Sequence, residues 1–264
     1  MAETAQHSVN GLAEELEPHA VESWPARETV ALDGWLLRFT SGFSSRANSV
    51  SVLAYFGSSL DRSIEAVEAA YLARGLPPQF QISPASRPVQ FEDALRARGY
   101  AHKSPTILMV ADVDAVAAES DVAIASVADA DFERLTREGS HSPADGDERL
   151  SILARVTHPK AFFTAFAGGA AVSCGASVVT GDWASVYVMR TTPGHRRRGH
   201  RRRILRAIAA WARSQGATRL YLQVDEANEA GRALYQRAGF QDGYVYLHYV
   251  AADRSRDGGI KFTP

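Results

Sequence analysis

The sequence predicts a mixed α/β (α+β) fold with a mixed central sheet and helices on its flanks. Strand-like apolar runs alternate along the chain with runs whose apolar residues recur at helical spacing, as Ile64, Val67 and Tyr71 do. Glycine stands where predicted helices end, at Gly75 and Gly99. At 264 residues the chain is long enough for two domains, and the order of its predicted elements repeats.

The first half is predicted to hold a helix, two strands, a helix, a strand, a helix and a strand. In that order these elements cover residues 11–24, 34–39, 49–56, 60–74, 80–82, 91–98 and 104–110. The acidic, small-residue stretch 111–122 is typical of a connector. We therefore expect one domain over 1–115, a second over 121–252, and a polar tail over 253–264 that frays.

The second half is predicted to begin with a short strand and two helices and to continue with three strands. A loop, a helix, a strand, a helix and a final strand complete it. The predicted elements are a strand at Ile124, helices over 129–138 and 147–156, strands over 161–167, 171–179 and 183–189, a helix ending at 215, a strand over 219–224, a helix over 228–238 and a strand over 244–250.

The two halves share an internal pattern. Residues 95–100 (LRARGY) precede the strand 104–110, and residues 234–240 (LYQRAGF) precede the strand 244–250 in the same way. One interpretation is a duplicated fold with a degenerate N-terminal copy. The other is that helix–glycine–aromatic–strand is a common junction, since glycine caps the helix and the aromatic ring packs back. The first half lacks an arginine- and glycine-rich loop, so we expect it to bind no phosphate by that route.

Composition narrows the class of protein. A net charge of −1 provides no overall field that would attract nucleic acid or a membrane surface. The single cysteine, Cys174, excludes an intrachain disulfide, fits a reducing compartment and is expected to pack in the core. The chain shows no export signal and no apolar run of the roughly 20 residues that span a bilayer. We expect a cytoplasmic protein, a monomer or homodimer, with no metal.

The most informative segment is the arginine loop, residues 193–203 (PGHRRRGHRRR), between a predicted strand and a predicted helix. A strand that breaks at Pro-Gly and restarts as a helix leaves backbone N–H groups unpaired at the helix start. These groups, the positive end of the helix dipole and six arginines favour an anion such as a cofactor pyrophosphate. An isolated run of arginines is more simply interpreted as a solvated basic patch. The sequence on either side of the run therefore decides between a basic patch and an anion site.

Further features follow the loop at regular distances. Arg196-x-x-Gly199 opens the helix, the strand 219–224 comes next, and then Asn228 precedes Leu234-Tyr235 and Gly239-Phe240. In this order the chain resembles the GNAT superfamily of acyl-CoA-dependent N-acyltransferases, over about residues 122–250 and most strongly over 186–240. Residues 33–39 and 46–49 are similar to the leading half of two-domain bacterial members. One departure is Arg201, where the family has a second small residue.

The resemblance implies that acetyl-CoA is the cosubstrate. Backbone N–H groups from about Arg197 to Arg202 fit a diphosphate, with Gly199 allowing close approach. The strand edge at Met189–Thr191 is implied to pair with the pantetheine arm, and the Met189 N–H to stabilise the thioester oxygen. The predicted cofactor-binding residues are Met189, Arg190, Thr191, Arg196, Arg197, Arg198, Gly199, His200, Arg201, Arg202, Asn228 and Tyr235.

Two of these residues have alternative structural roles. Asn228 is implied to bind pantetheine, but asparagine also suits the N-cap of the helix that follows. Tyr235 is implied to be the general acid for the leaving thiolate, or it simply packs in an amphipathic helix. Arg201 either obstructs the diphosphate or forms a salt bridge with it.

The acceptor amine must lose a proton, and the sequence leaves the base open. Glu226 is the first candidate, and the others are Asp225, Asp182, Glu138 and His141. Residues 139–147 are predicted to form a loop that covers the acceptor site.

The predicted function is transfer of an acetyl group from acetyl-CoA to a primary amine of a small molecule, by direct attack with Tyr235 as general acid. A peptide or protein amine is the alternative acceptor, and a non-catalytic acyl-CoA sensor is the alternative class. Nucleic-acid binding through the arginine loop is disfavoured, because the basic residues are not spread along a face.

Overall fold

The computed structural model describes residues 2–116 and 121–251, with side chains from residue 9 onward. The helices are α1 (Ala2–Glu22), α2 (Leu60–Leu72), α3 (Phe91–Ala97), α4 (Ala130–Glu138), α5 (Pro143–Arg155), α6 (His200–Ser214) and α7 (Glu229–Arg237). The strands are β1 (Glu28–Leu32), β2 (Trp35–Phe39), β3 (Val50–Ser51), β4 (Gln79–Ile82), β5 (Tyr100–His102), β6 (Thr106–Asp112), β7 (Ala123–Ala125), β8 (Lys160–Ala167), β9 (Ala170–Thr180), β10 (Trp183–Thr191), β11 (Arg219–Asp225) and β12 (Gln241–Ala251).

The strands join into one continuous mixed sheet. Their order is β1-β2-β3-β4-β12-β6-β11-β10-β9-β8-β7, with β5 paired to β12. The pairs β3–β4 and β10–β11 are parallel, and the remaining pairs of the described sheet are antiparallel. The predicted mixed α/β fold is confirmed.

The two halves of the chain exchange strands. From the first half, β6 lies between β11 and residues 241–246 of β12. From the second half, residues 247–250 of β12 pair with β4, and residues 249–251 pair with β5. Backbone hydrogen bonds therefore join the halves, while the domain boundary at 115–121 and the duplication stay predictions.

Each face of the second half's sheet buries a different apolar cluster. One cluster joins α6 and α7 to the sheet and includes Ile204, Ile208 and Tyr235. The opposite face packs on α4 and α5 and includes Phe132 and Tyr187. The site described below is lined by residues of both clusters, among them Tyr187 and Tyr235.

Several predicted boundaries are wrong, each for a local reason. β1 was not predicted because its residues are mostly exposed and show no apolar alternation, and the three-residue β5 was also missed. The predicted strand 49–56 is only Val50–Ser51. The predicted connector begins inside β6 and continues as a 3-10 turn at Val113–Ala115.

The predicted loop over 139–147 is also shorter than expected. Ser142 caps α5 by accepting a hydrogen bond from the Asp145 N–H, and Pro143 takes the first helical position, where proline is well tolerated. The helix therefore starts at Pro143 rather than at 147. The tail 253–264 lies outside the described residues.

Candidate active site

The site forms where β10 and β11 part. Their parallel pairing runs from Trp183 opposite Arg219 to Val186 opposite Leu222, and then stops. Beyond that point β10 stays paired with β9, with a register shift between Tyr187 and Arg190. A gap therefore opens between two neighbouring strands in the middle of the sheet.

A strained residue shapes this gap. Val188 has a φ of 50°, which is unfavourable for a β-branched residue and costs roughly 1–3 kcal/mol. The irregularity places Tyr187 and Val188 together in the cluster on the α4/α5 face. Met189 turns to the α6 face instead. This irregularity of β10 therefore turns consecutive side chains towards opposite faces of the sheet at the gap.

The gap leads into a cavity of about 180 Å³, here called the strand-gap cavity. Its wall consists of Arg46, Arg149, Val186, Tyr187, Val188, Met189, Arg190, Arg201, Gln223, Val224, Asp225, Asn228 and Tyr235. Five predicted site residues meet here, namely Met189, Arg190, Arg201, Asn228 and Tyr235. Four arginines on so small a wall make the cavity strongly cationic.

The arginine loop lies at the N-terminus of α6, beside the cavity. Arg197 and Gly199 both have left-handed backbone, with φ of 61° and 85°. A Cβ at Gly199 would meet no atom within 4 Å, so the conformation, and not space, favours glycine there. Arg203 donates its N–H to the Gly199 carbonyl. The N–H groups of residues 197–202 donate to no acceptor within the described chain, as is usual for the first turn of a helix.

The side chains of the loop point in different directions. Arg196, Arg197, Arg198 and Arg202 are exposed. Arg203 pairs with Asp121 at 2.6 Å and donates to Nδ1 of His200 at 3.2 Å. Burial lowers the pKa of His200, which keeps that ring neutral at neutral pH. Thr191 is held by Ser173 at 2.8 Å, away from the cavity wall.

Arg201, the departure from the family pattern, points into the strand-gap cavity. Its Nε is buried and has no hydrogen-bond partner within residues 2–116 and 121–251. Its charge acts on Tyr235, where it opposes a rise in pKa. Arg201 thus places a cationic group beside Tyr235 at the inner end of the arginine loop.

Tyr235 is buried in α7, with its ring centroid 6.0 Å from that of Phe240. Burial raises the pKa of Tyr235, and Arg201 and Arg190 offset part of that rise. No hydrogen-bond partner for its hydroxyl is recorded in the described chain. The ring packs in the core while the hydroxyl stays protonated at neutral pH, so packing and proton donation are compatible.

Asn228 caps α7 and also lies on the cavity wall. Its Oδ1 accepts a hydrogen bond from the Gly231 N–H at 3.0 Å. A Cβ at Gly231 would lie 2.7 Å from Asn228 Nδ2, so glycine leaves room for the amide. The capping bond uses Oδ1 and leaves the Nδ2 donors for another partner.

The structure distinguishes the candidate bases by their position relative to the cavity. Asp225 lies on the cavity wall and accepts hydrogen bonds from the Ser104 hydroxyl at 2.8 Å and the Ala227 N–H at 2.9 Å. The remaining candidates are absent from this wall as the described residues define it. Glu226 donates its backbone N–H to Pro105, Asp182 accepts from the turn at 218–219, Glu138 pairs with Arg134, and His141 donates its N–H to Asp145.

Sequence reasoning missed four polar residues of the wall: Arg46, Arg149, Tyr187 and Gln223. Arg46 belongs to a 3-10 turn of the first half, Ser45–Ala47, and donates to Gln223 Oε1 at 2.8 Å. Tyr187 donates to or accepts from the Tyr221 hydroxyl at 3.0 Å. The only sequence signal for Arg46 was that residues 46–49 resemble the leading half of two-domain family members.

Comparisons with known proteins identify the family of the chain. A family model described as "Probable histone acetyltransferase Rv0428c C-terminal" matches residues 13–248. The chain is 30% identical over 241 residues to "Uncharacterized N-acetyltransferase YobR" of Bacillus subtilis (strain 168), covering 85% of this chain and 93% of YobR. The chain belongs to the GNAT superfamily of N-acetyltransferases.

Solved structures share the fold. A GCN5-related N-acetyltransferase from Kribbella flavida superposes with a TM-score of 0.67 at 15% identity, covering 96% of both chains. A tandem GNAT protein from the clavulanic acid biosynthesis pathway gives a TM-score of 0.55 at 16% identity, covering 77% of this chain and 74% of the other. The predicted GNAT fold and N-acyltransferase class are confirmed.

Within residues 2–116 and 121–251, no group of three or more His, Cys, Asp or Glu side chains could hold a metal ion. No helix of the same residues is both long and apolar enough to cross a membrane.

Proposed function

We propose that this GNAT enzyme transfers an acetyl group from acetyl-CoA to a primary amine of a small molecule, with Tyr235 as general acid. The observation that supports it most is the run of unpaired N–H groups at 197–202, which lies beside a cavity that reaches Tyr235 through the strand gap.

The residues present fit acetyl-CoA. Six consecutive backbone donors at the start of the 15-residue helix α6 suit a diphosphate, and exposed Arg196, Arg197 and Arg198 add charge-assisted donors around them. The edge of β10 beyond Val186 is unpaired on its β11 side, which suits the amides of a pantetheine arm. The side-chain amide of Asn228, on the same cavity wall, provides two further N–H donors.

The adenosine end has a separate surface. A depression of about 330 Å³ lies between α6 and α7 and includes Arg202, Leu205, Gln236 and Arg237. We assign the adenosine and its 3′-phosphate to this depression, because it adjoins the arginine loop and carries cationic side chains next to apolar ones.

When bound, acetyl-CoA supplies an activated acetyl thioester. The Met189 N–H, at the strand gap, is the donor we assign to the oxygen that gains negative charge. The Tyr235 hydroxyl donates its proton to the departing sulfur, and Arg201 beside it stabilises negative charge there. Asp225 receives the proton of the amine, because it is the only carboxylate among the described residues of the cavity wall.

The first experiment measures cofactor binding and turnover separately. Acetyl-CoA should raise the melting temperature in proportion to the logarithm of its concentration above Kd. Tyr235→Phe should keep this shift and slow thiol release by roughly 100-fold or more. Unchanged turnover would remove Tyr235 as the acid, and no melting shift at millimolar acetyl-CoA would refute cofactor binding.

A second experiment tests the base with neighbouring variants. Asp225→Asn should lower kcat most at low pH, where less amine is unprotonated, and Glu226→Gln should leave the rate near that of the wild type. The opposite result would assign proton acceptance to Glu226.

A protein amine is the second candidate acceptor, because the description of the matching family names a histone acetyltransferase. A histone-tail peptide therefore belongs in the thiol-release screen. A sensor would bind acetyl-CoA and release no thiol with any amine in that screen.

A further inference from the structure

The acceptor side of the strand-gap cavity carries an unusual cluster of arginines. Arg46 comes from the first half, Arg149 from α5 and Arg190 from β10, and all three line the cavity. The fold brings these side chains together from three separate segments of the chain.

The charges of this cluster are poorly compensated. Arg149 pairs with buried Asp145, Nε to Oδ1, at 2.9 Å. Arg46 is bonded only to the neutral Gln223 and stacks over Trp24 and Tyr187, with its Cζ 5.0 and 5.4 Å from the ring centroids. Within the described chain, no carboxylate lies within 4.0 Å of the guanidinium of Arg46.

Arg190 is the least satisfied of the three. Its one recorded hydrogen bond is from Nη1 to the Met189 carbonyl at 3.5 Å, and its Nε is buried without a partner in the described chain. Burial and the nearby charge of Arg149 lower the pKa of Arg190. Asp145, which pairs with Arg149, offsets part of that fall from a distance. A half-buried guanidinium that no carboxylate of the described chain contacts is costly, so such a group is expected where an anionic ligand completes the site.

The cluster lies on the face opposite the arginine loop. Trp24 and Tyr187, which Arg46 covers, belong to the apolar cluster of α4 and α5. Tyr235 belongs to the cluster of α6 and α7. The stem of Arg190 lies against the α4–α5 turn, since a Cβ at Gly139 would be 2.4 Å from Arg190 Cδ. These arginines thus line the α4/α5 side of the cavity, whereas the N–H groups assigned to the diphosphate lie at the start of α6 on its other side.

We propose that the acceptor of this enzyme is a small amine that also carries an anionic group, a carboxylate or a phosphate, bound by Arg46 and Arg190 with Arg149 beside them. The proposal rests on the proposed acetyl transfer and names its substrate class. Planar guanidinium groups bind both anions through paired N–H donors. The same positive charge disfavours a lysine-rich peptide at this face.

The test compares acceptors in matched pairs by thiol release from acetyl-CoA. The pairs are β-alanine with β-alaninamide and O-phosphoethanolamine with ethanolamine, and a lysine-rich histone-tail peptide is a further arm. We expect the anionic member of at least one pair to have about tenfold or higher kcat/KM, and the pair that shows it distinguishes carboxylate from phosphate.

Variants then assign the preference to residues. Arg46→Gln should raise KM for the anionic acceptor about tenfold or more, with little change for its neutral partner or for acetyl-CoA. Arg190→Gln should raise KM for the anionic acceptor by a similar factor relative to the neutral partner. Arg190→Lys should restore part of the preference. Arg62→Gln, at an exposed position of α2, is the matched control. The proposal would be overturned if both members of every pair were used equally or if the basic peptide were preferred. It would also be overturned if the variants lost activity equally with both members.

A binding measurement separates this proposal from the proposed function. Phosphate or malonate, at constant ionic strength, should raise the melting temperature of the wild type more than that of Arg46→Gln or Arg190→Gln. Equal shifts would overturn the anion site. A larger wild-type shift in a protein that neither binds acetyl-CoA nor releases thiol would support the anion site while refuting acetyl transfer.

Discussion

Glu148 joins the two halves of the chain next to Arg149 of the cavity wall, and its replacement gives the sharpest prediction. It is buried in α5, with 4% of its surface exposed. Its carboxylate accepts the N–H groups of Phe43 at 3.2 Å and Ser44 at 2.6 Å, and the Asn48 side-chain amide at 3.3 Å. These bonds hold the segment that carries Arg46.

Glu148→Gln keeps the shape and replaces one acceptor oxygen with a donor. At least one backbone N–H then faces an NH2 group, and the remaining bonds lose their charge assistance. Hydrogen bonds to charged groups contribute about 1.5–3 kcal/mol each, and a buried unsatisfied donor costs about 1–3 kcal/mol. We expect the free energy of unfolding to fall by about 2–4 kcal/mol.

Two assays check this prediction. At roughly 2–4 °C per kcal/mol for a chain of this size, the melting temperature should fall by about 5–15 °C. Because Arg46 moves with its segment, KM for the acceptor should also rise while KM for acetyl-CoA stays unchanged. Glu133→Gln is the control, since that residue forms an exposed ion pair with Arg137 at 3.1 Å worth at most about 0.5 kcal/mol. A melting temperature within 1–2 °C of the wild type, with unchanged acceptor KM, would refute the reasoning.

The other predictions concern the backbone of the site and the pH dependence of stability. Gly199→Ala forces a side chain onto φ of 85° and should weaken acetyl-CoA binding, measured by calorimetry, through distortion of the N–H groups rather than by a clash. Gly139→Ala should displace Arg190 and raise KM for the acceptor in steady-state kinetics, because the added Cβ would lie 2.4 Å from Arg190 Cδ. Burial raises the pKa of Glu17 to about 7, above its ordinary value of 4.5, so the folded state binds a proton that the unfolded state has lost. Wild-type stability in urea should therefore fall, by up to about 3 kcal/mol, as pH rises from 4.5 to 7, and Glu17→Gln should remove that slope. Burial lowers the pKa of His248 to about 3, so between pH 6.5 and about 3 the unfolded state binds a proton that the folded state does not. Stability should therefore fall as pH falls from 6.5 towards 3, and His248→Gln should unfold less readily in acid.

The sequence predicted the parts of the molecule that local pattern encodes. The arginine loop and α6 follow from Pro-Gly, glycine and helical apolar spacing within about twenty residues. The resemblance to the GNAT superfamily implied Asn228 and Tyr235, and both lie on the cavity wall. Exposed β1 carries too little apolar pattern to be predicted, and the apolar run 49–56 predicts a longer strand than β3, which is only Val50–Ser51.

What the sequence could not predict depends on tertiary contact. Arg46 and Arg149 reach the cavity from segments that have no spacing relation to β10. The choice between Asp225 and Glu226 depends on where β11 ends. Asp225 continues the alternation of Tyr221 and Gln223 on one face, while Glu226 begins the following turn. One residue of register therefore decides which carboxylate reaches the site.

The exchanged strands also constrain how the chain can fold. Gln79 in β4 pairs with Val250, near the end of the described chain. In the described sheet, strand β6 likewise pairs only with β11 and β12, which come much later in the sequence. Contacts between residues so distant in sequence slow folding, because the loop must close before they form. On the ribosome, the first half therefore cannot complete its sheet until the last strand has been synthesised. Its exposed β4 edge is then the place where chaperones would be needed and where premature association would begin.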